Sequence, residues 1–284
     1  MISARELFDD LKRGGEANLQ DKWRKGNLIE LPANGKVIMT GDLHGHQKNF
    51  DRLVRYADLE KNPNTHLIFH EVIHNGHPEV PNEDHTFIML IQVVKLKIAF
   101  PDQVHYLMGN HEMAQCSGEE VLKGGHRMLK IFTNGLHARF REHADMALQA
   151  ISDYLLTLPI AIRTENRIWM SHSLPSKRHL AQFDDAIFQD TLEGQHVVSD
   201  KSLRALLWDR RHDEACLSNL MQRWHVDIFI VGHQSQEYGH GRPLDEMIIL
   251  ASDHNHGHCL PFDLSVDYTS DELYGLIKPL ASIA

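Results

Sequence analysis

The chain has 284 residues, enough for one large domain with a substantial core or for two small ones. Hydrophobic residues make up 42% and charged residues 24%, the balance of a globular protein, and no apolar run approaches the roughly 20 residues that span a bilayer. A net charge of −10 argues against a nonspecific nucleic-acid binder, which needs a basic face, but leaves phosphorylated substrates open because metal ions reverse the field of an acidic site.

Residues 3–13 read as an amphipathic helix capped by Ser3, with Leu7, Phe8 and Leu11 on one face, and Gly14-Gly15 is expected to stop it. Residues 1–30 are therefore expected to form an N-terminal helical extension. The runs 36–40, 65–69 and 104–108 are short apolar strands, and the stretches between them, near 47–60 and 83–99, are helical. Strand, helix, strand in succession predicts βαβ units and a largely parallel sheet. The span 112–157 is expected to be a helical cap or insertion. Residues 160–163 and 167–170, joined by Glu165-Asn166, predict a hairpin. Strands follow at 226–231 and 246–250. A last strand at 260–264 is expected to close a second sheet, and a short helix begins near Ser270. No repeat, low-complexity block or long linker divides the chain, so residues 1–284 read as one domain.

Ligand-bearing groups follow most of these strands. Gly41-Asp42-Leu43-His44-Gly45 follows the first, and His70-Glu71-Val72-Ile73-His74-Asn75-Gly76 the second. Gly109-Asn110-His111-Glu112 follows the third, Ser171-His172-Ser173 the hairpin, and Gly232-His233 the strand at 226–231. Groups at the C-terminal ends of parallel strands converge in space, so the pattern points to metal chemistry. Asp42, His44, Glu71, Asn110, His172 and His233 make six candidate ligands, enough for two ions about 3.5–4 Å apart with room for water. Mixed imidazole and oxygen donors suit Fe, Mn or Zn better than Ca or Mg. Histidine is abundant, 22 residues in all, while the three cysteines, Cys116, Cys216 and Cys259, are scattered; with a start that lacks a secretory layout, they suggest a reduced, cytoplasmic setting.

In order and spacing these motifs resemble the calcineurin-like metallophosphoesterase superfamily, and within it the serine/threonine phosphoprotein phosphatases and their bacterial relatives. Leu206-Leu207-Trp208-Asp209 is similar to a segment those enzymes carry before their last histidine. The resemblance covers roughly residues 36–264. It implies an α/β fold, a four-layer αββα sandwich of two mixed sheets flanked by helices. It implies that Asp42 and His44, with His233 or its surroundings, hold one metal, that Asn110 and His172 hold the other, and that Glu71 bridges. His111 would be the general acid, and metal-bound hydroxide would attack the phosphorus of a phosphorylated substrate, whether protein, nucleotide or small molecule.

The second motif departs from that family's Gly-Asp-x-x-Asp-Arg-Gly. Glu71 is one methylene longer than aspartate, His74 replaces the carboxylate that would orient His111, and Asn75 replaces an arginine that would grip phosphate. Loss of that charge-assisted contact costs about 1.5–3 kcal/mol unless another cation substitutes; Arg210 and Arg211 are the nearest candidates, being otherwise solvated surface charges. His74 is either a partner of His111 or itself a ligand, since Glu-x-x-His is a di-iron pattern. His70 and the cluster Asp253-His254-Asn255-His256-Gly257-His258 could enrich the site, the latter being equally readable as an exposed polar loop. Three functions remain: phosphate-ester hydrolysis, redox di-iron chemistry on the same scaffold, and metal binding without turnover.

Overall fold

In the computed structural model, which describes residues 2–189 and 192–283, two sheets lie face to face between helices. The five-stranded sheet runs Lys278–Pro279, His258–Asp263, Lys36–Asp42, Thr65–His70 and Val104–Leu107. Its last three strands are parallel, and the crossovers between them are helical, Gln47–Ala57 and Phe87–Ala99. The seven-stranded sheet contains the hairpin Ala161–Thr164/Ile168–Ser171, and Ile168–Ser171 pairs in parallel with Ile228–Val231.

The strands are apolar on both faces, as covered parallel sheets require. Val37, Met39, Ile68, Leu107, Met170, Ile230, Ile248 and Leu250 form the core between the sheets. Leu67, Phe69, Val104 and Tyr106 face the helices instead. The four-layer α/β sandwich is therefore present, built by ordinary strand alternation.

Three expectations change. Gly14-Gly15 does not stop the first helix, which runs Ala4–Leu19. The glycines serve packing there: a Cβ on Gly14 would lie 2.7 Å from Val94 Cγ1 and 3.2 Å from Tyr154, so their small size lets this helix close on its neighbours. The strand His258–Asp263 does not close the second sheet. It runs antiparallel to Lys36–Asp42, with Leu260 opposite Met39. The reason lies just upstream, where Ala251 bridges to Asp42 and Ser252 N–H donates to Asp42 O at 3.0 Å, so the chain is already beside the first strand. In the span 112–157, helices Met128–Phe140 and Ala144–Leu155 follow the short hairpin Leu122–Lys123/His126–Arg127. The second of these helices packs on the N-terminal helix, and the hairpin reaches toward the strand ends.

A buried polar chain ties the N-terminal segment to the sheet, at the strand ends away from the motifs. Lys97 Nζ lies 2.6 Å from Asp21 Oδ2, His105 Nδ1 lies 3.1 Å from the same oxygen, and His105 Nε2 lies 3.1 Å from His66 Nδ1. Burial, reinforced by His105, pushes His66 down to about 3, against the opposing pull of Asp21. A histidine whose folded pKa is depressed binds its proton more readily when unfolded, so its neutral form supports the fold above about pH 6.5 and that support is lost as pH falls toward 3. We expect unfolding free energy to drop between pH 7 and 4.5, with on the order of 2 kcal/mol of that drop removed by His66→Gln. Urea titrations at the two pH values read this, and an unchanged pH slope in the variant would refute it.

Candidate metal centre

The motif loops meet where the parallel strands of the two sheets end. Four non-glycine residues there have left-handed backbones: His44 (φ 42°), Glu71 (φ 27°), His74 (φ 68°) and His233 (φ 66°). Such conformations cost on the order of 1–3 kcal/mol each and persist only where surroundings impose them. The imposing contacts are visible. Leu43 and His44 N–H both donate to Glu71 O, at 2.9 and 2.7 Å, and His233 N–H donates to Asp42 Oδ2 at 2.9 Å.

Side chains converge inside this frame. Ligand atoms of Asp42, His70 and His172 lie within 4.8 Å of one another, and so do those of His44, Glu71 and His111. Glu71 joins the two groups: Oε2 is 3.0 Å from His44 Nε2, and Oε1 is 3.3 Å from His172 Nε2. His172 Nε2 also lies 2.8 Å from Asn110 Oδ1 and 2.9 Å from His233 Nδ1. All six expected ligands therefore lie together. The grouping differs from the one implied by resemblance, since Asp42 sits with His172, and the His233 ring faces His172.

The donor set fits metal ions. Asp42 Oδ1, His172 Nδ1 and both ring nitrogens of His70 are buried without a hydrogen-bond partner among the described residues. Orphaned polar atoms each cost about 1–3 kcal/mol, a cost that coordination would remove. Burial, together with the neighbouring Glu71 charge, pushes Asp42 well above the usual carboxylate range. At Glu71 burial acts in the same upward sense but is outweighed by His172, His111 and His44, which hold it ionised.

Glu71 has the room it needs. A Cβ on Gly109 would collide with Glu71 Cγ and with its Oε1, so glycine there keeps open the space this side chain fills. Glu112 belongs to the support rather than the site: its Oε2 accepts from Gly109 N–H at 3.1 Å and its Oε1 from Tyr106 Oη–H at 2.5 Å. Burial, then the Glu71 charge, pushes Glu112 up to about 8.

His74 is turned toward His111, the two Nδ1 atoms being 3.0 Å apart, and its Nε2 lies 3.0 Å from Gln115 Oε1. With Gln115 as acceptor, His74 Nε2 carries a proton and its Nδ1 accepts from His111 Nδ1–H. Burial pushes His74 down to about 4 and His111 well below the ordinary histidine range. Asn75 faces elsewhere: its Oδ1 accepts from His77 N–H at 2.9 Å, closing its own turn. Arg210 lines the cavity over the ligands and its Nε donates to His233 Nε2 at 2.8 Å. Arg211 lines a neighbouring cavity with Ser176, His179 and Asp209.

Two residues at the site carried little sequence signal. His70 was readable in the sequence only as a possible addition to the site; strand alternation puts it on the face of Ile68, between the sheets. Lys123 comes from the hairpin, far from any motif; it lines the cavity beside Asp42, His44 and His111, and its Nζ is 3.3 Å from Asp253 Oδ2. Of the 253–258 cluster, Asp253 lines the cavity, whereas His256 is exposed. Cys116, Cys216 and Cys259 are free thiols, and no helix among the described residues is long and apolar enough to cross a membrane.

Known proteins share this architecture. Over 184 residues, 64% of this chain, it is 24% identical to a probable serine/threonine-protein phosphatase of Encephalitozoon cuniculi, spanning about a third (35%) of that protein's length. A serine/threonine phosphatase from Saccharomyces cerevisiae superposes with a TM-score of 0.73 at 15% identity, covering 99% of this chain and 94% of that one. A cold-active protein-tyrosine phosphatase of a psychrophilic Shewanella superposes with a TM-score of 0.60 at 18% identity, covering 88% and 82%. Residues 35–237 match the calcineurin-like phosphoesterase family, the stretch that carries every motif described above, and the chain belongs to that family.

Proposed function

We propose that this chain hydrolyses a phosphate ester, using two metal ions, Fe, Mn or Zn, held by Asp42, His44, Glu71, Asn110, His172 and His233. The observation that carries the reading is the convergence of the other five side chains about Glu71, with Asp42 Oδ1 and His172 Nδ1 left orphaned in the interior. When bound, the ions would neutralise phosphoryl charge and lower the pKa of water enough to make it a nucleophile near neutral pH. His111 would hand a proton to the leaving-group oxygen, with His74 setting the orientation of its ring. Because His74 is a neutral group and not a carboxylate, His111 is a weaker base than in the family pattern and a readier donor once protonated. The redox alternative needs Glu71 and His74 on one ion, and the engagement of both His74 nitrogens with His111 and Gln115 counts against it. The similarity to the Encephalitozoon protein makes a phosphoprotein the first substrate class to try.

The reading is tested by assaying a nitrophenyl phosphate ester with added Mn, Fe or Zn. Turnover that depends on metal is expected, and no turnover with any of the three would sink the hydrolase reading.

Lys123 fits the place left by Asn75. Its carbon chain lies against Gly76, whose Cβ would be 2.8 Å from Lys123 Cγ. The acidic neighbours on the same wall are already paired, Glu119 with Arg204 at 2.6 Å and Glu120 with Arg127 at 3.2 Å. Lys123 and Arg210 are thus the cations facing the ligands among the described residues, and a phosphate would draw Lys123 away from Asp253. Lys123→Met is expected to raise KM about tenfold, the worth of one charge-assisted contact, with kcat changed less. A KM within twofold of wild type would remove Lys123 from substrate binding.

A further inference from the structure

We infer that His70 is itself a metal ligand, a seventh coordinating side chain that completes a nitrogen-rich site with Asp42 and His172. The inference rests on the reading of this region as a metal centre. His70 ends the strand Thr65–His70 and pairs with Asp42 across the sheet. Alternation along the strand puts Phe69 toward the helices and His70, like Ile68, between the two sheets. The other buried imidazoles on this face, His66 and His105, lie toward the opposite strand ends and are paired with each other and with Asp21. His70, beyond Ile68 on the same face, has no such partner and no exposed surface.

Neither ring nitrogen has a hydrogen-bond partner among the described residues. A neutral imidazole has one donor and one acceptor to satisfy, so both are lost on burial, at about 1–3 kcal/mol each. Two other orphaned atoms lie beside it, Asp42 Oδ1 and His172 Nδ1, and the ligand atoms of the three residues are within 4.8 Å of one another. The Asp42 Oδ1 to His172 Nδ1 separation of 3.6 Å is too long for a hydrogen bond and suits two ligands of one ion, which stand about 3–4 Å apart when each bond is about 2.1 Å. Gly232 roofs the pocket: a Cβ there would strike Asp42 Oδ1 and sit 3.1 Å from His70 Nδ1. A side chain at 232 would fill the space these atoms share, so glycine keeps it open. The family pattern has glycine in place of His70, and this ligand is a property of the present chain.

The test reads metal, not turnover. Wild type, His70→Gly and His70→Ala are loaded with Mn or Zn and dialysed, and metal per chain is measured by mass spectrometry. Wild type is expected to retain two ions, and the variants one, or two with at least one bound tenfold or more weakly. Two ions held with unchanged affinity in both variants would overturn the inference. Because emptying a buried site can prevent folding, the wild-type protein is also crystallised with Zn and its anomalous peaks located. A peak about 2.1 Å from a His70 nitrogen supports the inference, and peaks all farther than about 3 Å from both nitrogens overturn it. Failure of the nitrophenyl phosphate assay with these metals present would leave His70 as a ligand and remove only the hydrolase reading.

Discussion

Glu71→Gln is expected to lose metal and rate together, with metal content falling by at least one ion per chain and kcat/KM by about 10³-fold or more, the scale of several kcal/mol that a bound ion contributes. The carboxylate is fully buried and faces three imidazoles, and its Oε1 also accepts from His111 N–H at 2.8 Å. Glutamine keeps the volume but removes the charge and presents an N–H₂ to at least one of those partners. Glu71→Asp keeps the charge on a shorter arm and is expected to fall between the two. The space beside Gly109 that Glu71 Oε1 occupies would then be left unfilled. Full metal retention in Glu71→Gln, measured by mass spectrometry, would place the carboxylate outside the coordination sphere.

The second large effect is at His111. His111→Asn should lower kcat by about 10²–10⁴-fold, the usual worth of a positioned proton donor, while both ions stay bound. The loss should be smaller for a nitrophenyl ester, whose leaving group needs little help, than for an alkyl phosphate. Equal losses on the two esters would show that His111 does not deliver the proton. His111 also belongs to the group containing His44 and Glu71, and loss of an ion in the variant would assign it to coordination instead.

The site was legible because its residues sit in short motifs at strand ends, and strand ends can be found from apolar runs. The six candidate ligands needed only order along the chain and the convergence of parallel strands, whereas the relation of His74 to His111 came from the resemblance to the metallophosphoesterases. Placing His70 needed knowledge of which face of its strand is covered, and that depends on a second sheet whose strands Ile168–Ser171 and Ile228–Val231 lie more than ninety positions further along the chain. Lys123 needed the path of a two-residue-strand hairpin, which has no periodicity to read. The fold errors have the same origin. Gly14-Gly15 is a stop signal by local propensity, yet the helices carrying Val94 and Tyr154 make smallness more valuable than stiffness there. The strand His258–Asp263 has the alternation of any half-buried strand, and only the Ala251–Asp42 bridge decides which sheet receives it.

The four left-handed residues have a consequence for how this protein can change. His44, Glu71, His74 and His233 hold backbone angles that glycine would adopt without strain, so at each position the residue that relaxes the fold is one that lacks the functional side chain. Selection for robustness and selection for chemistry pull in opposite directions at these loops. A lineage released from catalysis would be expected to drift toward glycine there first, keeping its sheets and helices while the centre between them dissolves.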